Sequence, residues 1–422
     1  MRVAIVAESF LPVVNGVVNS VLRVLEHLRD TGHEAMVVAP AALDGAEQVD
    51  EYAGFPVVRV PAVAVPMINS LPIGVPVPAV TRSIRDFAPD VVHLASPFVL
   101  GGAGAVSARM LGIPCVAVYQ TDVPGFAGSY HLRALTTAAW QWVRTMHNSC
   151  TLTLAPSSVT IADLEAHGVE NVHHWGRGVD TVRFDPAKRD DALRAAWIRE
   201  GARRRGEAVE GERHVVGYVG RLASEKSVDR LAGLMSRRDI QVVVVGDGPE
   251  RARLERLLPY TVFTGGLYGE DLPRAMASLD VFVHTGDVET FCQTIQEAQA
   301  SGVPTVAPAA GGPVDLVVDG VNGRLLPPAR FARELPAAVD TVLAEGAGAR
   351  ARARESVLPR TWTGLCTQLV EYYEQALAME DFAAGARWGR GAPAARRGAA
   401  PRRPETCGSA WPERGPVCAV PA

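Results

Sequence analysis

The residues best suited to chemistry are two glutamates, Glu289 and Glu297, with seven residues between them. Residues 281–284 just before them form an apolar run that predicts the end of a buried strand, and residues 286–290 predict a turn. The spacing of apolar residues then predicts a helix over 291–300. Glu297 would lie in its second turn with its side chain leaning back toward the helix start, so both carboxylates would face one polar pocket.

A strand that leads into a helix start makes a binding site for an anion. The amides of Phe291, Cys292 and Gln293 would have no partners within the helix, and the helix dipole adds a positive potential. We therefore expect these amides to bind a phosphate or a sugar oxygen. A helix start is also where the pKa of a thiol falls, so the Cys292 thiol is expected to be acidic.

The two glutamates could instead be the acid and base of a glycosidase. The mostly helical rise between them places their backbones roughly 10–12 Å apart, whereas the carboxyl pairs of glycoside hydrolases stand about 5–9.5 Å apart. Flexible side chains could still span that difference, so the distance argues against the pairing without removing it. The simpler interpretation is that each carboxylate binds a different hydroxyl. A solvated helix carboxylate is the alternative for Glu297.

With its flanking residues, this motif resembles the retaining glycosyltransferases of family 4. The resemblance rests on Glu289 and Glu297 at that spacing, on Ala-Ser-Gly-Val-Pro-Thr-Val-Ala at 300–307 and on Gly-Gly-Pro at 311–313. The segment Glu-Thr-Phe-Cys-Gln-Thr-Ile-Gln-Glu is most similar to the actinobacterial GDP-mannose-dependent α-mannosyltransferases, although many family members have glycine where this chain has Cys292. The resemblance implies that Glu289 holds the donor sugar ring and that Glu297 holds the nucleotide ribose.

A second candidate site follows the strand predicted over 214–219. Arg221 and Lys226 flank a turn that would open onto a helix from about Val228, so two cations and free amides would converge on one anion. A salt-bridged surface loop is the alternative. The run 217–226 resembles the phosphate-binding loop of the same family, which implies that both cations neutralise the leaving nucleoside diphosphate. The chain has neither Gly-x-Gly-x-x-Gly nor a Walker-type Gly-Lys-Ser/Thr, which weighs against dinucleotide and P-loop chemistry.

The amino-terminal part predicts polar loops at the carboxyl ends of its strands, the edge where open parallel sheets bind ligands. Asn15-Gly16 resembles the family loop that contacts donor phosphate and acceptor, and a plain turn that needs glycine is the alternative. Gln120 stands where the family often has histidine, so the resemblance implies only a hydrogen bond to a sugar hydroxyl. Asp122 is expected to orient the acceptor, or else to shape a turn before Pro124.

A further turn, Gly246-Asp247, follows an apolar strand and in the family frames the nucleotide base and ribose. The catalytic residues implied by the resemblance are Glu289, Arg221 and Lys226. The implied donor-binding residues are Asn15, Gly16, Gln120, Arg221, Lys226, Gly246, Asp247, Phe291, Cys292, Gln293 and Glu297. Gly16 and Asp122 are the implied acceptor-binding residues, and no metal ligand is expected.

Composition limits the class of protein. A chain of 422 residues with 48% hydrophobic content is long enough for two domains. The net charge of -4 gives no reason to expect nucleic acid as a partner. The 6 cysteines show no metal-type spacing and no secretory signal is apparent, so they are interpreted as reduced thiols in the cytoplasm.

The order of predicted elements alternates short apolar strands with helices, which favours an α/β fold with parallel sheets. The resemblance implies the GT-B arrangement, two Rossmann-like doubly wound domains facing across a cleft. Residues 1–175 would form the acceptor-binding domain and 176–361 the nucleotide-sugar-binding domain. A helix over 362–380 would cross back to the first domain. Residues 381–422, rich in Ala, Gly, Pro and Arg, are expected to be a disordered tail.

Two segments suggest contact with a membrane surface. The uncharged run between Arg59 and Arg82 contains five prolines that would break a spanning helix, so it predicts an apolar loop and at most a peripheral contact. A predicted helix over 130–149 mixes Trp140 and Trp142 with basic residues, as membrane-interface helices do, although most such helices pack on a core.

The sequence therefore predicts a retaining transfer of a hexose, with mannose from GDP-mannose preferred, to a glycolipid or lipid-linked acceptor at the cytoplasmic face of the membrane. No cofactor is expected, and no metal either, because the chain has no Asp-x-Asp pair and two cationic side chains could replace the ion. Transfer from a UDP-sugar to a soluble acceptor is the main alternative. A sugar-nucleotide epimerase or phosphorylase and a catalytically silent nucleotide-sugar binder are weaker alternatives.

Overall fold

Parallel strands form the framework of the protein. The computed structural model describes residues 1–42, 48–64, 72–75, 78–95, 97–121, 133–209 and 211–388. The strands of the amino-terminal half are β1 (Arg2–Ala7), β2 (Glu34–Pro40), β3 (Glu51–Tyr52), β4 (Phe55–Val60), β5 (Ala62–Ala64), β6 (Pro72–Gly74), β7 (Val91–Ala95), β8 (Cys115–Val118), β9 (Leu152–Ala155) and β10 (Val172–His174). Those of the carboxyl-terminal half are β11 (His214–Val219), β12 (Ile240–Val245), β13 (Val262–Gly265), β14 (Val281–Val283), β15 (Thr305–Pro308) and β16 (Gly323–Leu326).

The strands form two main sheets, one in each half of the chain. The first has the order β10-β9-β8-β7-β1-β2-β4-β3 and the second the order β13-β12-β11-β14-β15-β16. Every described pairing in them is parallel except β3 with β4, and β5 and β6 form a separate antiparallel hairpin. The prediction of an α/β fold built from two doubly wound parallel sheets is confirmed.

Helices connect the strands. Those of the amino-terminal half are Gly16–Asp30, Pro78–Phe87, Leu100–Leu111, Arg133–His147 and Ser158–Ala166. The others are Asp191–Arg205, Arg251–Leu257, Asp271–Ala277, Gln293–Ala300, Pro313–Leu316, Phe331–Ala344, Gly346–Val357 and Trp362–Trp388. The central strands are buried along their whole length because helices cover both faces of each sheet, which is why their sequences are apolar without alternation.

The last helix packs on the first sheet. Its side chains Cys366, Leu369 and Tyr373 belong to the buried core that also contains β1 and β2. The hydroxyl of Tyr373 lies 2.6 Å from Nδ1 of His93 in β7. Residues Met1–Glu380 form one compact unit, and beyond it only 381–388 are described, as helix. None of the described helices is both long enough and apolar enough to cross a membrane.

Two local predictions fail in whole or in part. The charged, glycine-containing run at 203–207 predicts a surface loop, but Arg203–Arg205 form the last turn of the helix Asp191–Arg205, where basic side chains interact favourably with the negative end of the helix dipole. The regular helix expected from Val228 is instead a pair of 3-10 segments, Ser224–Lys226 and Val228–Leu234. Ser227 between them has a left-handed backbone with φ 48°, which breaks any continuous α-helix there.

Candidate active site

The loop that carries Glu289 is held against the Gly-Gly-Pro turn. The backbone N–H of Gly312 donates to the carbonyl oxygen of Glu289 at 2.8 Å. A β-carbon on Gly311 would come within 2.6 Å of that same oxygen, and one on Gly312 within 2.1 Å of the carbonyl oxygen of Phe291. A larger residue at either position would push the Glu289 loop out of place, which explains the two glycines.

Arg230 and Thr285 join this loop to the segment that contains Lys226. The Arg230 guanidinium donates to the carbonyl oxygen of Thr285 at 2.6 Å and to the carboxylate of Asp287 at 2.9 Å. The hydroxyl of Thr285 donates to the carbonyl oxygen of Lys226 at 2.6 Å. Two motifs that are far apart in the sequence are therefore fixed to each other at the carboxyl edge of the second sheet.

Lys226 and Glu289 form an ion pair at this edge. The ammonium of Lys226 donates to Oε1 of Glu289 at 2.7 Å, and both side chains are largely buried. Burial works to lower the pKa of Lys226, but the neighbouring Glu289 carboxylate outweighs it, so the pKa is raised. The residue expected to neutralise a diphosphate and the residue expected to hold a sugar thus lie in direct contact. Lys226 is charged at neutral pH.

Arg221 stands at the start of the same loop with an exposed side chain. Its carbonyl oxygen accepts a hydrogen bond from the buried hydroxyl of Tyr218 at 3.0 Å, which fixes the backbone after β11. The backbone N–H of Leu222 donates to the carbonyl oxygen of Asp247 at 2.9 Å, so the turn with Gly246 and Asp247 braces this loop. The Asp247 carboxylate is itself bonded to the N–H of Gly248 at 2.7 Å.

The helix that follows Glu289 begins without a side-chain cap. It runs Gln293–Ala300, two residues shorter than predicted, with Cys292 at the N-cap position. The Cys292 side chain makes no capping hydrogen bond, although its sulfur contacts the backbone N–H of Ile295. The amide of Gln293 and the positive end of the helix dipole are groups that an anion or a sugar oxygen could bind. Ligand binding by the amides of Phe291, Cys292 and Gln293 stays a prediction.

Cys292 does not have the acidic thiol expected of a helix start. Burial raises the pKa of this thiol, and the negative charge of Glu289 raises it further. The dipole prediction is wrong here because the thiol is buried rather than facing solvent. The backbone of Cys292 has φ 89° and ψ 72°, a left-handed conformation that favours glycine.

His284, at the end of β14, was missed by the sequence reasoning. It is 3% exposed. Its Nδ1 lies 3.3 Å from Sγ of Cys292, and its Nε2 lies 3.5 Å from Oε1 of Glu289. The signal that could have found it is a histidine at the carboxyl end of a buried strand directly before the Glu289 turn.

These three side chains are also the one group of metal-ligand types that comes together in the described part of the chain. One ligand atom from each of His284, Glu289 and Cys292 lies within 4.8 Å of the others. Two features oppose a bound cation: the Lys226 ammonium bonds the same carboxylate, and the buried thiol holds its proton because its pKa is raised. The cluster suits a hydrogen-bonded chain better than a metal centre.

Glu297 lies on the helix Gln293–Ala300 in a more buried setting than Glu289. Burial raises its pKa to about 7, and the only opposing charge is that of Arg183. Its carboxylate therefore changes charge close to neutral pH. A ribose hydroxyl would find an ionised acceptor there above that pH and a neutral acid below it.

Two residues that follow strands of the first sheet also belong to this region. Gln120 was predicted from the sequence, whereas Arg177, like His284, was missed. The Arg177 guanidinium donates to Oε1 of Gln120 at 2.9 Å, and a β-carbon on Gly16 would come within 2.7 Å of its Nη1. Burial lowers the pKa of Arg177 to about 10, against the pull of the Glu289 carboxylate, so it is a cation at pH 7. Nε2 of Gln120 is buried without a partner among the described residues.

Two glutamines hold the segment around Arg177 in place. The side-chain amide of Gln293 donates to the carbonyl oxygen of Gly178 at 2.9 Å, and that of Gln296 donates to the carbonyl oxygen of Arg177 at 2.8 Å. The side chain of Gln293 is therefore structural, and its backbone N–H is the group available to a ligand. A basic residue in the passage between the two sheets was the signal for Arg177.

Asn15 acts as a cap in this structure. Its Oδ1 accepts hydrogen bonds from the backbone N–H groups of Val17 and Val18 at 3.0 and 2.9 Å, at the start of the helix Gly16–Asp30. Its Nδ2 donates to the hydroxyl of Ser9 at 3.0 Å. The side chain predicted to bind the donor is thus engaged within the protein. Asp122, predicted to orient the acceptor, lies outside the described residues.

Glu8 occupies another helix start at this edge. Its buried carboxylate accepts backbone N–H bonds from Phe98 at 2.7 Å, Leu100 at 3.2 Å and Gly101 at 2.7 Å. Burial raises the pKa of Glu8, and these amide bonds oppose the rise. The start of the helix Leu100–Leu111 therefore already holds an anion that belongs to the protein.

Family comparisons follow the division into two halves. A family model described as Glycosyltransferase Family 4 matches residues 14–183. A second model, described as Glycosyl transferases group 1, matches residues 200–357. The two matches together cover every strand of the two main sheets except β1, and both motifs.

Curated proteins similar to this chain bear the same name in several actinobacteria. A GDP-mannose-dependent alpha-mannosyltransferase of Corynebacterium glutamicum is 56% identical over 381 residues, which cover 90% of each chain. The protein of that name in Mycolicibacterium smegmatis is 53% identical over 378 residues, covering 89% of this chain and 98% of that one.

Solved structures of low sequence identity share the fold. Anabaena Alr3699/HepE in complex with UDP superimposes with a TM-score of 0.68 at 20% identity, covering 89% of this chain and 100% of that chain. WaaG, a glycosyltransferase involved in lipopolysaccharide biosynthesis, superimposes with a TM-score of 0.63 at 16% identity over 88% of this chain and 99% of that one.

Proposed function

Because the chain belongs to glycosyltransferase family 4, we propose that it transfers mannose from GDP-mannose to a hydroxyl of a glycolipid or lipid-linked acceptor, with retention of configuration. The chain is a glycosyltransferase that uses a nucleotide-sugar donor. Mannose and GDP are supported by the names of relatives that are 56% and 53% identical over nearly their whole length. The geometry that carries the chemistry is the 2.7 Å contact of Lys226 with Glu289 beside the uncapped helix start.

Departure of the diphosphate is the step for which these residues are best suited. Lys226 and Arg221 supply positive charge, and the first amides of the helix Gln293–Ala300 supply donors and a dipole. Once the donor is bound, these groups would face the leaving phosphate, so little further reorganisation would be needed as negative charge develops there. No side chain at the edge is assigned as a covalent nucleophile. Front-face attack, with the departing phosphate oxygen accepting the acceptor's proton, fits this set of residues.

The carboxylates and Gln120 would hold the donor in register. Glu289 would accept hydrogen bonds from sugar hydroxyls once Lys226 engages the diphosphate, and Glu297 would accept one from the ribose. The unpartnered Nε2 of Gln120 is a donor that a sugar hydroxyl can use. Holding donor and acceptor in one geometry contributes to the rate because the reaction then behaves as an intramolecular one.

The reaction is proposed to need no metal ion. Arg221 and Lys226 would screen the diphosphate in place of a divalent ion, and the sequence has no Asp-x-Asp pair. Full activity in excess chelator is the expected result. Loss of activity that magnesium or manganese restores would overturn this part of the proposal.

A lipid-linked acceptor is supported by an exposed apolar strip on the first half of the chain. Val106 and Met110, 59% and 72% exposed, lie on one face of the helix Leu100–Leu111. The ring of Trp142, 46% exposed, adjoins that helix, because a β-carbon on Gly102 would come within 3.1 Å of it. Exposed apolar side chains next to Arg109 suit the interface of a membrane.

Transfer of another hexose from a UDP-sugar to a soluble acceptor is the second candidate. A 2-deoxystreptamine glucosyltransferase of Streptomyces kanamyceticus is 33% identical over 285 residues, 62% of this chain. An epimerase and a silent binder are less favoured. Gln120 offers no acid or base, and Arg221, Lys226, Glu289 and Glu297 are all present.

The decisive experiment compares donors. Radiolabelled GDP-mannose and UDP-glucose are each incubated with the protein and a membrane lipid extract, beside the Glu289→Ala variant. Mannose in the lipid fraction, absent with the variant, supports the proposal. Transfer from UDP-glucose alone would overturn the donor, and transfer of mannose only to water-soluble sugars would overturn the acceptor.

Co-sedimentation with anionic liposomes tests the membrane contact separately. The double substitution Val106→Ser, Met110→Ser is expected to reduce the bound fraction at both low and high salt, because the strip is apolar. The matched control is Leu257→Ser, an exposed leucine of the second half. Equal binding by both variants would exclude the strip as the contact.

A further inference from the structure

A thiol, an imidazole and a carboxylate form one continuous chain beside the Lys226 ammonium. Sγ of Cys292 faces Nδ1 of His284 at 3.3 Å, and Nε2 of the same ring faces Oε1 of Glu289 at 3.5 Å. The ring is buried, and its Nε2 makes no hydrogen bond within the described residues. A buried polar atom without a partner is unfavourable unless some state of the protein satisfies it.

The backbone of Cys292 supports a specific use for its thiol. Its left-handed conformation, φ 89° and ψ 72°, would be easier for glycine, which has no β-carbon. Glycine would relieve the backbone but would leave Nδ1 of His284 without the thiol. Other polar neighbours of the thiol are the hydroxyl of Thr294 at 3.6 Å and the backbone N–H of Ile295. Cysteine at this left-handed position places sulfur against the imidazole, which glycine could not do.

The thiol also selects the tautomer of the ring. Burial lowers the pKa of His284 and raises the pKa of Cys292, so both groups are neutral at pH 7. A protonated thiol is a weak donor and a weak acceptor, and when it donates to a bare Nδ1 the ring proton lies on Nε2. That proton then points at the carboxylate of Glu289.

Glu289 faces two donors that compete for one oxygen. Oε1 is bonded to Lys226 at 2.7 Å and lies 3.5 Å from Nε2 of His284. Lys226 is the residue proposed above to engage the leaving diphosphate. When its ammonium turns to the phosphate, the buried carboxylate of Glu289 loses its closest donor and needs another.

We propose that His284 is a positioning residue that takes over the Glu289 carboxylate when Lys226 engages the diphosphate, and that Cys292 holds the imidazole in the tautomer required. This inference rests on the proposed function of Lys226 and Glu289. The exchange moves hydrogen bonds only: an N–H of Lys226 passes from Oε1 to a phosphate oxygen, and the Nε2–H of His284 closes onto Oε1. No proton changes its atom. Glu289 is then held toward the sugar while its charge stays available to the sugar hydroxyls.

The kinetic test separates this role from a merely structural one. His284→Phe removes the donor and is expected to lower kcat about tenfold. The Kd for GDP should rise by a smaller factor, about twofold to threefold, because GDP draws Lys226 away from Glu289 but has no donor sugar for Glu289 to hold. His284→Gln, whose amide nitrogen can stand near Nε2, is expected to restore part of kcat. The control His93→Phe removes a buried histidine together with its hydrogen bond to Tyr373, away from the site, and tests the effect of losing a buried imidazole as such. Equal loss of kcat and GDP affinity in His284→Phe, without rescue by glutamine, would overturn the proposal.

Cys292→Gly is expected to change stability and activity in opposite directions. The substitution relieves the left-handed backbone, so Tm is expected to stay level or rise, while kcat falls about threefold or more because the tautomer is no longer fixed. Cys292→Ser, which keeps a donor to Nδ1, is expected to lie closer to the native kcat. A glycine variant with native kcat would contradict the role of the thiol.

One measurement is independent of transfer activity. Ring 15N chemical shifts of His284, assigned by comparison with His284→Phe, report the tautomer with and without GDP. The expected result is a neutral ring protonated on Nε2, with the Nε2–H signal moving to that of a hydrogen-bonded donor when GDP binds. A ring protonated on Nδ1, or an Nε2–H signal that GDP leaves unchanged, would overturn the inference even if mannose transfer is established. Failure of transfer with this shift present would overturn the proposed function alone.

Discussion

The two sheet edges treat their helix starts in opposite ways. At the first edge, Asn15 caps one helix and the Glu8 carboxylate fills the start of another. At the second edge, the helix Gln293–Ala300 begins at Cys292, whose side chain makes no capping hydrogen bond. The first edge thus satisfies these amides with its own side chains, whereas at the second edge the amide of Gln293 has no cap from Cys292 and is proposed to bind a ligand.

This difference suggests how two similar sheets in one chain can bind different substrates. An internal carboxylate at the first edge repels a further anion, so that edge suits a neutral acceptor better than a diphosphate. The second edge combines free amides with Lys226 and Arg221, which suits a leaving diphosphate. Arg177 lies between the two, bonded to Gln120 and within the electrostatic reach of Glu289.

The largest expected effect is loss of the cation at the second edge. Lys226→Ala should lower kcat about 10²–10³-fold, because a fixed charge on the developing phosphate anion is removed. The measurement is initial-rate kinetics with GDP-mannose. The matched control is Lys188→Ala, whose ammonium pairs with Glu270 at 2.6 Å away from the site. An equal loss of kcat in the two variants would contradict the claim that Lys226 at the second edge stabilises the leaving diphosphate.

At the first edge the expected effect is on stability instead. Glu8→Ala removes the acceptor of three backbone amides and should lower the free energy of unfolding by about 2–4 kcal/mol. Chemical denaturation at pH 7 measures it. Glu34→Ala, which breaks only the exposed pair with Arg2, should cost under about 1 kcal/mol. A Glu8 variant of native stability but lower GDP affinity would reverse the comparison.

Glu297 makes the second edge sensitive to pH. Its pKa is raised from 4.5 to about 7, so its carboxylate becomes protonated as the pH falls through about 7. The affinity for GDP should therefore fall by up to about tenfold between pH 8 and pH 6, because the ribose loses an ionised acceptor. The contribution of Glu297 to the free energy of unfolding depends on pH in the opposite direction. Burial opposes the ionised form, so the contribution of this group is greatest below pH 4.5 and is lost as the pH rises through about 7.

Calorimetry of GDP binding across that pH range provides the check, with Glu297→Gln as the control. The glutamine cannot titrate, and ionisation of GDP itself is common to both proteins. The variant should therefore show the shallower dependence. Parallel curves for the two proteins would exclude Glu297 as the titrating group.

The smallest expected effect is at Asn15. Asn15→Ala removes a cap that accepts two amide bonds and should lower the free energy of unfolding by about 1 kcal/mol, with GDP affinity changed less than about twofold. Thermal unfolding and calorimetry provide the two readouts. Asn15→Asp, which also caps well, should restore the stability. A larger loss of affinity than of stability would return Asn15 to the donor site.

Local patterns were sufficient to predict the strands over 214–219 and 281–283, the parallel sheets and the position of Glu289 at a sheet edge. They missed the hairpin of β5 and β6, which lies in the run that predicts an apolar loop. Apolar runs and the punctuation by Gly and Pro depend on near neighbours only. What could not be predicted depends on packing between distant segments. Three contacts join residues from separate segments that follow different elements. They are the contact of Lys226 with Glu289, the position of His284 between Cys292 and Glu289, and the hydrogen bond of Arg177 to Gln120.

The remaining errors have separate causes, and burial explains the one at Cys292. A helix start lowers the pKa of a thiol that solvent and the dipole can reach, but Cys292 is enclosed, so desolvation wins. The left-handed backbone of Ser227 separates the 3-10 segments Ser224–Lys226 and Val228–Leu234. The intrinsic preferences of serine do not predict that conformation. The last turn of the helix Asp191–Arg205 was assigned to a loop because a run of basic residues beside glycine is typical of a surface loop.

A crystal structure of the protein with GDP tests the central claim most directly. The account predicts the diphosphate at the second edge, with oxygens within hydrogen-bond distance of the Lys226 ammonium and the first amides of Gln293–Ala300, and with Lys226 moved off Glu289. A diphosphate bound at Asn15 and the first edge, with the pair of Lys226 and Glu289 intact, would contradict it.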